Sequence, residues 1–353
     1  MAVYDLDRCT VLLVEDNRYV RNVVENLLRT FRVGNVITAA NGQEAVEDLK
    51  ASRTKGRIAS PAPDIVISDL LMAPVNGMLL LRWLREAPES PNRFVPFVML
   101  SGAADSNYVT AARDLGMTEF LAKPFSAHSI YKRLLEVIDY PRQFIATHSY
   151  FGPDRRRRKV AAPPNERRVV SEDDVTIVHS TEKVVKPDRE IGVWYFRLPN
   201  YLKQKVGGQK SSEPGEMPTA LLEQAEEKLQ RSALDFTEWA QTYLKNLVEL
   251  CDVALKNPGS RRKHFEEINL LAHELRGQGG TFGYPLITVL GKMLYDATHK
   301  GCREDDKGVE IVRAHVDAMR AVLRDKVAGD GGMVGRALLK SLQLAIENHE
   351  NIE

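Results

Sequence analysis

The first 140 residues alternate short apolar runs with amphipathic stretches. Five apolar runs have the composition of strands buried on both faces of a sheet, at residues 10–14, 36–40, 65–67, 94–101 and 119–122. Apolar positions recur at helical spacing between and after these runs, near residues 17–28, 43–50, 77–86, 106–115 and 126–138. Strands that alternate with helices pair in parallel, so we predict an α/β doubly wound five-stranded parallel sheet over residues 8–140.

The last part of the chain has helical periodicity throughout. Long amphipathic segments are separated by short breaks rich in glycine and proline, which predicts a C-terminal all-α antiparallel helix bundle over residues 218–353. Residues 141–217 lie between the two regions, and we predict a linker that is basic and partly flexible. Two apolar stretches inside it, residues 175–178 and 191–196, are either short strands or segments that dock on a neighbouring domain.

Composition and charge restrict the classes of partner. The formal net charge of +1 gives no bulk attraction to nucleic acid or to a membrane, so only a local patch could provide one. The basic run at residues 155–159 is either a solvated part of the linker or a contact for nucleic acid or an acidic partner, and the linker interpretation is favoured. No apolar run approaches the roughly 20 residues of a membrane-spanning helix. Three widely separated cysteines suit a cytoplasmic protein.

Polar side chains follow the predicted strands at their carboxyl ends, where ligands bind in open α/β sheets. These residues are Glu15, Asp16, Asp69, Ser101 and Lys123. Three acids at one edge repel each other unless a cation joins them, and hard oxygen ligands suit Mg²⁺. A hydroxyl and an ammonium group at the same edge suit a phosphate oxygen. Each residue alone is compatible with an ordinary surface position, but the five together predict a phosphoryl site.

Residues 8–140 resemble the receiver domain of two-component response regulators. The resemblance rests on residues in the order and spacing of that family: Glu15, Asp16, Asp69, Met72, Asn76, Gly77, Ser101, Lys123 and Pro124. It implies that Asp69 is the phosphoacceptor. It also implies that Asp16, Asp69 and the main-chain carbonyl of Leu71 hold Mg²⁺, with Glu15 helping through water.

The same resemblance assigns further roles. Ser101 and Lys123 hold the phosphoryl oxygens, Phe120 is the aromatic switch whose rotamer follows Ser101, and the Lys123–Pro124 peptide bond is cis. Two positions depart from the family pattern. The usual proline directly after the methionine is displaced to Pro74. Leu71 and Ala103 are apolar where the family often places residues that influence dephosphorylation, so we predict slow hydrolysis of the phosphoryl group.

A histidine in the C-terminal region has unusual neighbours. Helical periodicity places Ile268, Leu271, Leu275 and Phe282 on a core stripe and His273 roughly opposite, which predicts an exposed imidazole. Arg276, Gly277 and Gly280 share the face of His273, and glycines inside a helix cost about 1 kcal/mol each relative to alanine. A bare surface beside an imidazole suits close approach by another protein. The alternative is a glycine-rich helix end with a chance histidine.

The segment resembles the histidine phosphotransfer (HPt) domain. The matching residues are His273, Leu275, Arg276, Gly277, Phe282 and Gly283, while Gln278 and Gly279 replace the small residues usual there. The resemblance implies that His273 is phosphorylated and that Arg276 stabilises the phosphoryl group.

These observations predict a phosphorelay protein, with a receiver that accepts a phosphoryl group on Asp69 and a bundle that carries His273. The expected partners are a sensor histidine kinase or another phosphodonor, and other receiver or HPt proteins. The sequence contains nothing resembling the glycine-rich ATP site of sensor kinases, so no ATP-dependent kinase activity is expected. The alternative is a response regulator whose bundle is a docking output gated by Asp69. A third interpretation is that the bundle is a catalytic unit, but its sequence contains no recognisable set of acid–base residues.

Overall fold

The structure is a computed structural model that describes residues 3–52, 61–101, 106–155, 175–181, 187, 192–208 and 213–351. The chain forms two compact units. The first comprises Met1–Leu121 with Ala127–Ala225, and the second comprises Ala122–Ser126 with Glu226–Glu353. Within the described residues, no helix combines the length and the apolar character needed to cross a membrane.

The N-terminal sheet has the predicted parallel architecture. Its described strands are β1 (Thr10–Val14), β2 (Asn35–Ala39), β3 (Ile65–Asp69), β4 (Phe97–Ser101) and β5 (Glu119–Ala122). They are arranged in the order β2-β1-β3-β4-β5. Every residue of β1, β3 and β4 is buried, as expected for strands with helices on both faces.

Helices alternate with these strands, as the sequence predicts. They are α1 (Arg18–Thr30), α2 (Gly42–Ala51), α3 (Gly77–Glu86), α4 (Ser106–Asp114) and α5 (Ala127–Asp139). Asparagines cap the first three: the side chains of Asn17, Asn41 and Asn76 accept hydrogen bonds from main-chain amides of the first turn. The apolar faces of α2 and α3 and one face of the sheet form a core that includes Leu12, Val66 and Leu80.

The segment predicted as a linker contains a second sheet. Strands β6 (Phe144–Ala146), β7 (Phe151–Pro153), β8 (Val175–Val178) and β9 (Val193–Phe196) are arranged in the order β7-β6-β9-β8. The strand interpretation of residues 175–178 and 193–196 is therefore confirmed, whereas β6 and β7 were missed. Residue 191 and the basic residues 156–159 lie outside the described residues.

The second sheet packs through aromatic rings on the segment between α3 and β4. Phe94 lies at the centre, with its ring centroid 5.2, 5.1 and 5.0 Å from those of Phe144, Phe151 and Phe196. Residues 144–153 of the predicted linker therefore bury aromatic surface. Arg155, the described residue of the basic run, is exposed, and its guanidinium pairs with Asp114 at 3.3 Å.

Residues after β9 return to the C-terminal end of α5. Helix α6 (Tyr201–Lys205) follows, and Asp139 accepts hydrogen bonds from the Tyr4 hydroxyl, from Lys203 Nζ at 2.9 Å and from the Gly215 amide at 2.9 Å. A Cβ at Gly215 would lie 2.2 Å from the Tyr4 ring. Glycine at this position thus permits a close contact, whereas the sequence had suggested flexibility.

The C-terminal region is helical, as predicted. Its described helices are α7 (Thr219–Lys256), α8 (Arg261–Gln278), α9 (Pro285–Ala297), α10 (Asp306–Arg324) and α11 (Gly332–Asn351). Successive helices from α8 to α11 pack on one another. Helix α7 joins them through Phe236, whose ring stacks on Phe282 at 5.1 Å.

Candidate functional site

Strand register brings the N-terminal acids together. Val14 pairs with Ser68, so Glu15 and Asp69 follow at neighbouring positions of β1 and β3. Carboxylate oxygens of Glu15, Asp16 and Asp69 all lie within 4.8 Å of one another. Glu15 and Asp69 are buried, whereas Asp16 is exposed. Three hard oxygen donors around one point, open to water on one side, fit a divalent cation such as Mg²⁺.

The loops around the acids are held by main-chain contacts. The Asn17 amide donates to Glu15 Oε1 at 3.4 Å, and the Arg21 guanidinium donates to the carbonyls of Glu15 and Asp16. A Cβ at Gly77 would lie 2.1 Å from the carbonyl oxygen of Asp69. Glycine at the start of α3 therefore lets this helix begin directly against the backbone of Asp69.

The other predicted residues of this site are placed at strand ends or on the last strand. Ser101 is the final residue of β4 and is fully buried. Lys123 follows β5 directly, is buried, and precedes Pro124 through a cis peptide bond, as predicted. Phe120 is half-buried on β5 and packs on the core beneath the sheet. Leu71 is also half-buried there, while Ala103 lies outside the described residues.

His273 lies in α8 and is buried, with 4% of its surface exposed. The prediction of an exposed imidazole is therefore wrong. Residues of the neighbouring helix α9 explain part of this burial: the ring of Tyr295 has its centroid 5.9 Å from that of His273. Helical periodicity reports the faces of one helix, and it contains no information about which neighbour covers each face.

Arg276 is the polar neighbour of His273. Its Nη2 lies 3.2 Å from His273 Nδ1, and its guanidinium carbon lies 4.7 Å from the Tyr295 ring centroid. Burial, with a contribution from the positive charge of Arg276, lowers the pKa of His273 to about 3. The imidazole is therefore neutral at physiological pH.

The glycines near His273 differ from the prediction in their placement. Helix α8 ends at Gln278, so Gly277 lies on the helix and Gly280 lies in the following turn. Gly283 has φ +84°, a left-handed conformation that favours glycine. Leu271 is only half-buried, and Ala272 takes a core position in its place.

The N-terminal region matches a known protein family. Residues 11–135 match the model described as "Response regulator receiver domain". This part of the chain is a receiver domain. The match agrees with the sheet order and with the acidic cluster at the ends of β1 and β3.

The chain is also similar to segments of curated proteins. The chain is 31% identical over 133 residues to "Sensory/regulatory protein RpfC" of Xanthomonas campestris pv. campestris, which covers 38% of this chain and 17% of that protein. It is 30% identical over 135 residues to "Sensor histidine kinase TmoS" of Ectopseudomonas mendocina, covering 38% and 12%. It is 27% identical over 136 residues to "3',5'-cyclic-nucleotide phosphodiesterase regA" of Dictyostelium discoideum, covering 38% and 16%. The chain thus spans less than a fifth of these relatives.

Two residues that contact the candidate sites, Arg21 and Tyr295, were not predicted from the sequence. Arg21 lies one turn into α1 from Asn17, and its position next to the acids of the receiver could have suggested a contact with that loop. Tyr295 lies on a different helix from His273, and no sequence spacing links the two.

Proposed function

We propose that this protein acts in a phosphorelay, with Asp69 of the receiver as the phosphoacceptor. The clustering of the Glu15, Asp16 and Asp69 carboxylates within a receiver domain carries the proposal. An Asp69 oxygen attacks the donor's phosphorus, a phosphorus–oxygen bond forms, and the bond to the donor's leaving group breaks. Glu15, Asp16, Asp69 and the carbonyl of Leu71 are the residues that would hold Mg²⁺. When bound, the ion offsets negative charge on the transferring group.

The remaining receiver residues act on the product. In the proposal, Ser101 and Lys123 bind the phosphoryl oxygens of the aspartyl phosphate, and Phe120 changes rotamer with Ser101. The added charge and acceptor oxygens reorder nearby loops, as other phosphorylations do.

We further propose that His273 carries a phosphoryl group for transfer to or from a receiver. The support is its neutral imidazole, with the Arg276 guanidinium beside it to pair with phosphoryl oxygens. The HPt-like motif supports the same role. The donor to the chain is a sensor histidine kinase or another phosphodonor, and ATP is not used directly.

Two complementary variants test the transfer. A donor copy carrying His273→Gln is phosphorylated on Asp69 with radiolabelled acetyl phosphate and Mg²⁺, and is then freed of the reagent. An acceptor copy carries Asp69→Ala and a tag large enough to separate it from the donor copy by size. We expect alkali-stable label to appear on the acceptor, since phosphohistidine survives alkali and aspartyl phosphate does not. A matched acceptor that also carries His273→Gln should stay unlabelled.

A docking output is the second candidate, because His273 is buried. In that case phosphorylation of Asp69 changes which surface the helical unit offers, and His273 has only a structural role. The experiment above separates the candidates. A donor that loses its label only to water, with no label on the acceptor, contradicts transfer from Asp69 to His273 and favours the docking output.

A further inference from the structure

The contact between Arg276 and His273 fixes the position of the imidazole proton. Arg276 Nη2 lies 3.2 Å from His273 Nδ1. A guanidinium group has N–H donors and no acceptor, so Nδ1 must accept this hydrogen bond through its lone pair. The neutral imidazole then carries its proton on Nε2. In this state Nδ1 is engaged by Arg276, and Nε2 has no lone pair for attack on phosphorus.

Helix α9 holds Arg276 in this position. The guanidinium carbon lies 4.7 Å from the centroid of the Tyr295 ring, within the range of a cation–π contact. Gly291 is one turn earlier on the same face of α9, and a Cβ there would lie 2.7 Å from the amide nitrogen of Arg276. Glycine thus allows the close approach of α8 and α9 that brings the Tyr295 ring under the guanidinium.

Arg276 also has capacity for a further ligand. Among the described residues, its buried Nε–H has no hydrogen-bond partner. A buried N–H of a charged group is costly to leave unpaired. An anionic oxygen that arrives at this site would satisfy the Nε–H and compete with His273 Nδ1 for the guanidinium.

We propose that Arg276 and Tyr295 form a tautomer latch on His273, which holds the imidazole in its Nε2–H form until a phosphoryl group arrives. The proposal rests on the proposed phosphotransfer function of His273. Tyr295 is a positioning residue that acts through Arg276. The latch keeps both ring nitrogens unreactive when no donor is present.

Protons and electrons are conserved when the latch is released and the phosphoryl group is transferred. Phosphoryl oxygens of the donor aspartyl phosphate draw Arg276 away from Nδ1. Water returns a proton to Nδ1 as Nε2 gives one up, so the imidazole stays neutral. The Nε2 lone pair attacks phosphorus, and the nitrogen–phosphorus bond forms as the phosphorus–oxygen bond to the donor carboxylate breaks. The carboxylate leaves with the electron pair of that bond.

Nitrogen NMR of the full chain tests the latch. In ¹⁵N-histidine-labelled protein near pH 7, long-range proton–nitrogen correlations distinguish the protonated from the unprotonated ring nitrogen, and His273→Gln assigns the signals. We expect the Nε2–H tautomer in the wild type. Arg276→Met and Tyr295→Leu should shift the tautomer ratio about tenfold toward Nδ1–H, the size expected for loss of one charge-assisted hydrogen bond. Tyr295→Phe keeps the ring and should retain the wild-type ratio.

Two results would overturn the latch: an Nδ1–H tautomer in the wild type, or an unchanged ratio in Arg276→Met. Transfer from the phosphorylated donor copy is measured on the same variants. If the wild type has the expected tautomer but His273 receives no label, the proposed transfer from Asp69 to His273 is refuted and, with it, the role of the latch. If His273 is labelled but the tautomer ratio is unchanged in Arg276→Met and Tyr295→Leu, only the latch is refuted.

Discussion

The burial of His273 makes the stability of the helical unit depend on pH. Its pKa in the folded chain is about 3, below the ordinary value of 6.5. The unfolded chain therefore binds more protons between these values, and the free energy of unfolding falls as the pH drops below about 6.5. At about pH 5 the expected loss is about 2 kcal/mol, since each pH unit corresponds to about 1.4 kcal/mol. Burial also lowers the pKa of His315, which adds a loss of the same sign.

Thermal unfolding at pH 7 and pH 5 checks this. His273→Gln should lose less stability than the wild type between these pH values. Equal pH dependence in His273→Gln and the wild type would show that His273 is protonated alike in the folded and unfolded chains.

A second prediction at the residue scale concerns Leu71. This half-buried side chain packs on the receiver core two residues beyond Asp69 and cannot orient an attacking water. We predict slow loss of the phosphoryl group from Asp69, measured as the decay of label in purified protein. Leu71→Asn supplies a polar side chain and should shorten the half-life. A wild-type half-life of seconds would contradict this prediction.

At the scale of elements, the second sheet makes a close backbone contact with the turn between α4 and β5. A Cβ at Gly152 would lie 2.8 Å from the Cα of Gly116 and 2.6 Å from the Tyr150 hydroxyl. We expect Gly152→Ala to lower the free energy of unfolding by about 1–3 kcal/mol, because neither the backbone nor the packed ring can move freely. Urea denaturation measures the loss. The control is Gly259→Ala, where an added Cβ meets nothing within 4 Å, and an equal effect of the two substitutions would refute the contact.

The parallel sheet could be predicted from the sequence, whereas the second sheet could be predicted only in part. Strand β3 begins with a continuous apolar run, Ile65–Ile67, and such a run is typical of a strand buried on both faces of a parallel sheet. Strands β6 and β7 are three residues long, and β7 contains glycine and proline. Strand β6 pairs with β7 and with a distant segment, β9, and aromatic rings packed around Phe94 stabilise this arrangement. No local pattern contains that information.

The two candidate sites also differed in how far the sequence could predict their contacts. The acids of the receiver lie at strand ends, and the rule for parallel sheets is enough to bring Glu15 next to Asp69. The contacts of His273 depend on α9, through Tyr295 and the close approach at Gly291. A helix–helix crossing is set by side chains on both helices, so the periodicity of α8 alone predicted the wrong exposure.

At the scale of the whole molecule, one chain carries two proposed phosphoryl acceptors, an aspartate and a histidine. The net charge of +1 gives no general attraction to a partner, so recognition depends on local surfaces around the two groups. Transfer within one chain places label on both Asp69 and His273, whereas domains that serve different proteins leave the label on Asp69 alone. Phosphoryl chemistry distinguishes the two acceptors directly.

The most direct test of this account is the chemical stability of the label on the full chain. Wild type, Asp69→Ala and His273→Ala are treated with radiolabelled acetyl phosphate and Mg²⁺, and the label is then followed in acid and in alkali. We predict an alkali-stable fraction in the wild type that is lost in both variants, because the group reaches His273 through Asp69. Label that is entirely alkali-labile, and lost in Asp69→Ala alone, would contradict transfer to His273.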